Sequence, residues 1–117
     1  MPKGRNFLNE TIEILKTEGK EEKDVLWVGY AEHEEDKGFS FSWDKFKELT
    51  KNFKYDSGYG SQYIDGIVVV GNNWWLERHE YDGSEWWEFK TIPLKPKENK
   101  SVKLVKGQWN IYFKEVK

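Results

Sequence analysis

The chain has 117 residues, is 17% aromatic within a hydrophobic fraction of 37%, and carries a formal net charge of −2. At this length one domain around one core is expected, spanning residues 1–117, and the lack of cysteine excludes disulfides, thiolate nucleophiles and cysteine-ligated zinc. No apolar run is long enough for a secretory signal or a membrane span, so the expected compartment is the cytoplasm, with no membrane contact.

Residues 6–18 read as a helix, with Leu8, Ile12 and Leu15 forming an apolar stripe and Gly19 placed to end it. A dense acidic stretch follows. From Glu18 to Asp36 the chain holds Glu18, Glu21, Glu22, Asp24, Glu32, Glu34, Glu35 and Asp36 against Lys20 and Lys23, a solvated surface or a face that meets a basic partner. Within it, residues 25–31 are apolar, β-branched and aromatic, as a buried strand would be. A charged turn through His33 leads to Phe39 and Phe41, which alternate with serine as the second arm of a hairpin.

Ser42 stands where a helix N-cap belongs, with Asp44 in the first turn, and Trp43, Phe46, Leu49, Thr50 and Phe53 follow at helical spacing. Residues 55–60 are a Gly- and Tyr-rich connection. Gly58-Tyr59-Gly60-Ser61 shares only its composition with a phosphate loop, because a strand and not a helix N-terminus comes after it. Residues 67–70, Ile-Val-Val-Val, are apolar throughout and imply a central strand covered on both faces.

The most specific stretch is residues 74–89, WWLERHEYDGSEWWEF, which gathers four of the seven tryptophans around one turn. Asp82-Gly83 between two aromatic runs predicts a β-hairpin, since glycine accepts the positive φ of a tight turn. Strand alternation puts Trp74, Leu76, Arg78, Trp87 and Phe89 on one, core-like face. Trp75, Glu77, His79, Tyr81, Trp86, Glu88 and Lys90 fall on the other. A two-residue turn would oppose Glu80 to Glu85 and Glu77 to Glu88, at roughly 0.2–1 kcal/mol per like-charged pair. The expected register is therefore a four-residue loop that pairs Tyr81 with Trp86 and His79 with Glu88; a shift of two leaves the faces unchanged.

Pro93 and Pro96 mark a polar, lysine-rich connection over residues 93–101. A C-terminal hairpin follows, with residues 102–106 as one arm and Trp109, Ile111 and Phe113 sharing a face of the other. Residues 1–92 carry 12 Lys/Arg against 19 Asp/Glu, a net of −7, and residues 93–117 carry 7 Lys against 2 Glu, a net of +5. The element order predicts an α+β fold, an antiparallel sheet of about five to seven strands with two amphipathic helices.

His33 and His79 are 46 positions apart with no ligand spacing, so no metal and no cofactor is expected. His79 beside Glu77 and Glu88 reads as a structural histidine rather than a catalytic base, and no catalytic residue is assigned. The aromatic and charged face instead suits a binding surface, with Trp75, His79, Tyr81 and Trp86 as anchors and Glu77 and Glu88 setting orientation. The alternatives are cross-strand packing of Trp75 against Trp86, a sugar or nucleotide base stacked on the rings, and single-stranded nucleic acid held by a stripe of Lys95, Lys97, Lys100, Lys103 and Lys106. The acidic body argues against nucleic acid.

From about Val25 to Pro93, and most of all through the WWLERHEYDGSEWWEFK hairpin, the chain resembles small proteins encoded in phages, prophages and other mobile elements of Gram-positive bacteria. The resemblance implies an accessory role inside the host cell, exerted on a host protein, by a monomer or a homodimer. It brings no activity, cofactor or site residue with it, and residues 1–24 and 94–117 lie outside it.

Overall fold

The computed structural model describes residues 4–56 and 62–117, so the Gly58-Tyr59-Gly60-Ser61 segment compared with a phosphate loop lies outside the described residues. The elements follow in the order β1 (Arg5–Asn6), α1 (Phe7–Thr17), β2 (Trp27–Tyr30), β3 (Phe39–Phe41), α2 (Trp43–Thr50), β4 (Lys54–Tyr55), β5 (Val68–Val70), β6 (Trp74–Tyr81), β7 (Ser84–Thr91), β8 (Val102–Lys106) and β9 (Ile111–Glu115), with a 3-10 turn at Glu22–Asp24. The fold is α+β. Five strands form an antiparallel sheet in the order β3-β2-β5-β6-β7, and β1-β4 and β8-β9 form two small two-stranded sheets.

Both helices pack on one face of the five-stranded sheet. The side chains between them and the sheet include Phe7, Leu15, Phe46, Val28, Val69, Leu76 and Trp87. The helix starts are set locally: Asn6 Oδ1 accepts from Asn9 N–H at 2.8 Å, and Ser42 Oγ from Lys45 N–H at 3.0 Å. The stripes sit differently from the simple apolar reading. On α1 the fully buried line is Phe7, Thr11 and Leu15, with Leu8 and Ile12 half-buried beside it. Thr11 takes a core position because its hydroxyl donates to Phe7 O at 2.7 Å and accepts from the Trp87 indole at 2.8 Å, so no polar atom is left bare. On α2, Trp43 and Phe46 are buried while Leu49 faces out and Phe53 lies beyond the helix end. Glu22, in the acidic stretch, is not merely solvated: it accepts from the Trp43 indole at 2.8 Å and pairs with Lys47 at 3.2 Å, fastening the 3-10 turn to α2.

β5 is the middle strand, with only Val68–Val70 paired in the ladder, but it is covered on one face alone. Val69 is fully buried under the helices, whereas Val68 and Val70 on the other face are half-buried, because among the described residues no layer packs over that side of the sheet. Beside it, β2 carries Gly29 at φ 152, where a Cβ would stand 2.2 Å from Phe39 O, so only glycine lets β3 approach this closely. The core cluster holds no residue after Phe89 among the described residues, and β8 and β9 stand off from it, with residues 91–101 exposed throughout. Trp109 lies before β9 rather than in line with Ile111 and Phe113.

An ion cluster lies inside the layer between α1 and the sheet. The Arg78 and Glu85 side chains are both fully buried, with Arg78 Nη2 2.8 Å from Glu85 Oε1. Arg78 also donates to Tyr55 Oη at 3.0 Å and to Glu10 Oε2 at 3.2 Å, while Tyr55 donates to Glu10. Its guanidinium lies over the rings of Trp87, Phe7 and Tyr55 at 5.0, 5.1 and 5.5 Å. Burial alone would pull the Arg78 pKa down, but the hydrogen bonds to Tyr55 and Glu85 and the charge of Glu10 outweigh it and hold the group above its ordinary value. Glu85 also accepts the backbone N–H groups of Tyr63 and Ile64 at 2.6 and 3.0 Å, anchoring the chain that enters β5.

Candidate functional site

The candidate site is the face of the β6-β7 hairpin turned away from the helices. Its register corrects the four-residue loop. β6 and β7 join by the two-residue Asp82-Gly83 turn, whose φ values of 51° and 88° are both positive, as a type I′ turn requires. Glu77 therefore opposes Glu88 and Glu80 opposes Glu85. Each like-charged pair is relieved locally. Glu85 turns onto Arg78 in the core, Glu80 accepts from Gly83 N–H at 3.2 Å, and Glu77 and Glu88 each meet donors on their own strand.

Those donors make a repeated arrangement. In a strand, residues two apart share a face, and a tryptophan, a glutamate and a nitrogen-bearing side chain alternate on both arms: Trp75, Glu77, His79 on β6 and Trp86, Glu88, Lys90 on β7. The Trp75 indole donates to Glu77 Oε1 at 2.6 Å, and His79 Nε2 lies 2.7 Å from Glu77 Oε2. Across the hairpin the Trp86 indole donates to Glu88 Oε2 at 3.2 Å, Lys90 Nζ lies 3.3 Å from Glu88 Oε1, and His79 is 3.8 Å from the same oxygen. The spacing was visible in the sequence, but its consequence, carboxylates that fix the orientation of both rings, was not drawn from it.

Trp75 and Trp86 are not cross-strand partners. Trp75 opposes Lys90 and Trp86 opposes His79, so about four residue rises, roughly 13 Å, separate their backbone positions along the strands, with the Glu77–Glu88 pair between them. Both tryptophans are half-buried. Glu77, His79, Glu88 and Lys90 keep 34, 36, 37 and 40% of their side-chain surface in solvent. Tyr81 shares the face but stands at the tip of the hairpin, 76% exposed, apart from this cluster.

The strand order widens the face in a way local reading missed. Trp27 on β2, Val70 on β5, Trp75 on β6 and Lys90 on β7 form one row across four strands. Gly29, Val68, Glu77 and Glu88 form the next. Trp27, Val68 and Val70 are each half-buried, so an apolar flank extends from Trp75 toward β2.

The Trp75 indole holds Glu77 below the ordinary carboxylate pKa, helped by His79 and Lys90 against the opposing effect of burial. Glu88 is lowered likewise, first by the Trp86 indole and then by Lys90. A lowered folded pKa contributes stability that is complete above the unfolded carboxylate value and is lost as pH falls through the folded one. Glu77→Gln removes that contribution, so its Tm should fall less steeply than the wild type's from about pH 5 to about pH 3. Equal acid slopes in a thermal melt series would mean that the Trp75 bond does not favour the ionised form.

Two other sequence features are placed elsewhere. Lys103 and Lys106 are three residues apart on β8 and so project from opposite faces, and Lys100 is engaged by Glu98 at 3.6 Å and Glu115 at 3.3 Å; the lysines do not form one stripe. A cleft of about 550 Å³ is lined by Arg5, Asn6, Asn9, Glu10, Glu13 and residues further along α1, not by the hairpin rings. Among the described residues no group of three or more His, Asp or Glu side chains is placed to hold a metal, and no helix is long and apolar enough to cross a membrane. No protein-family model, no curated protein sequence and no solved structure matches the chain.

Proposed function

We propose that this is a non-enzymatic binding protein that engages a basic segment of another protein through the far face of its central sheet. The observation that carries this reading is the Trp75-Glu77-His79 and Trp86-Glu88-Lys90 pair of triplets. In it two indoles are held in fixed orientation by partly exposed carboxylates, on the face opposite both helices. Rings held in place lose little freedom on binding, and desolvated aromatic anchors dominate interface energies. The carboxylates supply charge that a lysine or arginine side chain answers, while the ring faces accept its apolar stem or its cation. A sugar or base would be better served by a concave site built on the two triplets; the cleft along α1 lacks rings, and the one lined by Trp27, Tyr30 and Phe39 includes neither Trp75 nor Trp86. In its cellular setting the protein acts as an accessory factor of a mobile element, directed at a host protein.

The test is capture from a Gram-positive lysate by the wild type and by the Trp75→Ala, Trp86→Ala double variant, each first shown to be folded. Loss of an aromatic anchor should weaken a specific protein partner by at least about 2 kcal/mol, roughly thirty-fold. Nuclease-sensitive capture that declines steeply with salt and depends on Lys100, Lys103 and Lys106 would replace this reading with nucleic-acid binding. If the folded double variant retains every partner of the wild type, the rings serve packing alone and the proposal fails.

A further inference from the structure

The C-terminal hairpin is a second unpartnered surface, and its chemistry is the complement of the first. Val102, Leu104, Ile111 and Phe113 fall on one face of β8-β9 and are 58, 50, 65 and 73% exposed. Two strands alone are marginally stable in water, so an apolar face of this kind calls for cover. Nothing in the core supplies it, since no residue after Phe89 joins the core cluster among the described residues. The arm leading to it, Ile92 to Ser101, is exposed along its whole length, and the molecule extends 60 Å in its long direction against 34 and 32 Å in the others.

We infer that the hairpin docks on the far sheet face of a second copy of this chain, in a reciprocal two-fold exchange. The inference rests on the sheet face being a protein-binding surface and names one occupant for it. Two observations select a second copy. The first is charge: the segment from residue 93 onward carries +5 and the body to residue 92 carries −7, with Glu77 and Glu88 on the receiving face, Lys106 on the same hairpin face as Leu104, and Glu115 of that face already paired with Lys100 at 3.3 Å. The second is shape. An apolar two-stranded sheet meets an open sheet flank of Trp27, Val68, Val70, Trp75 and Trp86, and two sheets stack face to face with their side chains interleaved. Because each chain offers both surfaces, a two-fold pairing makes the same contact twice and leaves neither hairpin bare.

Light scattering on the full chain, after size-exclusion chromatography, tests this. The wild type should be a dimer at about 100 μM, where a Kd of micromolar order would leave nearly every chain paired. A hairpin variant, Leu104→Asp with Phe113→Asp, and a sheet variant, Glu77→Lys with Glu88→Lys, should each weaken the dimer at least tenfold. All four positions are exposed or half-buried, and circular dichroism checks that the body is intact. Mixing the two variants should restore a heterodimer, since the sound hairpin of one then meets the sound sheet of the other. A monomeric wild type, including one whose hairpin folds back on its own sheet, overturns the inference, as does a dimer that survives both variants. A monomeric wild type would leave the sheet-surface reading untouched, whereas retention of every partner by the Trp75→Ala, Trp86→Ala variant would remove that reading itself.

Discussion

Arg78→Ala should lower the free energy of unfolding by about 3–5 kcal/mol, the range seen when one member of a buried ion pair is removed. Arg78 is the common partner of Glu85, Glu10 and Tyr55, and its side chain has no exposed surface. Its loss takes the counter-charge from a fully buried Glu85 carboxylate and opens a void between Phe7, Tyr55 and Trp87, whose rings now close on the guanidinium. Arg78→Lys should recover only part of the loss, because an ammonium cannot reproduce the fork that reaches Glu85 and Tyr55 through one nitrogen and Glu10 through another. Arg78→Met combined with Glu85→Met removes both buried charges, and such exchanges are often close to neutral. Here it should remain less stable than the wild type, since Glu85 also satisfies the N–H groups of Tyr63 and Ile64. Urea unfolding of the three variants decides the matter. A change below about 1 kcal/mol for Arg78→Ala would place the cluster in contact with water.

Leu76→Ala should cost about 2–5 kcal/mol, and Val69→Ala a comparable though smaller amount, while Tyr81→Ala costs well under 1 kcal/mol. Leu76 and Val69 are adjacent partners in the ladder, both with no exposed surface, and each packs between the sheet and the helices. Truncating either leaves a cavity in a region that neighbouring strands prevent from collapsing. Tyr81 is at the open tip of the hairpin, so its removal leaves no hole. Should Tyr81→Ala prove the most destabilising of the three in denaturant melts, the two faces of the hairpin would be assigned the wrong way round, and the proposed binding surface with them.

Both results depend on a division between what is local in the chain and what is not. Residue alternation, a property of any strand, was enough to separate Trp74, Leu76, Arg78, Trp87 and Phe89 from Trp75, Glu77, His79, Tyr81, Trp86 and Glu88. Ser42 as an N-cap, Asp82-Gly83 as the turn and the valine run as the middle strand are likewise legible, because each needs only residues within a few positions. The hairpin register is not legible locally, because the cost of opposing glutamates depends on partners outside the hairpin's own pairing. Glu85 is stabilised by Arg78, seven residues back, and Arg78 by Glu10 and Tyr55, which are 68 and 23 positions away. The same holds for α1, where Thr11 displaces the expected apolar stripe because Trp87, 76 residues on, gives its hydroxyl a donor. The far face gained Trp27, Val68 and Val70 from the strand order β3-β2-β5-β6-β7. Periodicity and turn chemistry are written into short stretches of sequence, whereas buried charges and strand neighbours are chosen by contacts that exist only once the chain has closed on itself.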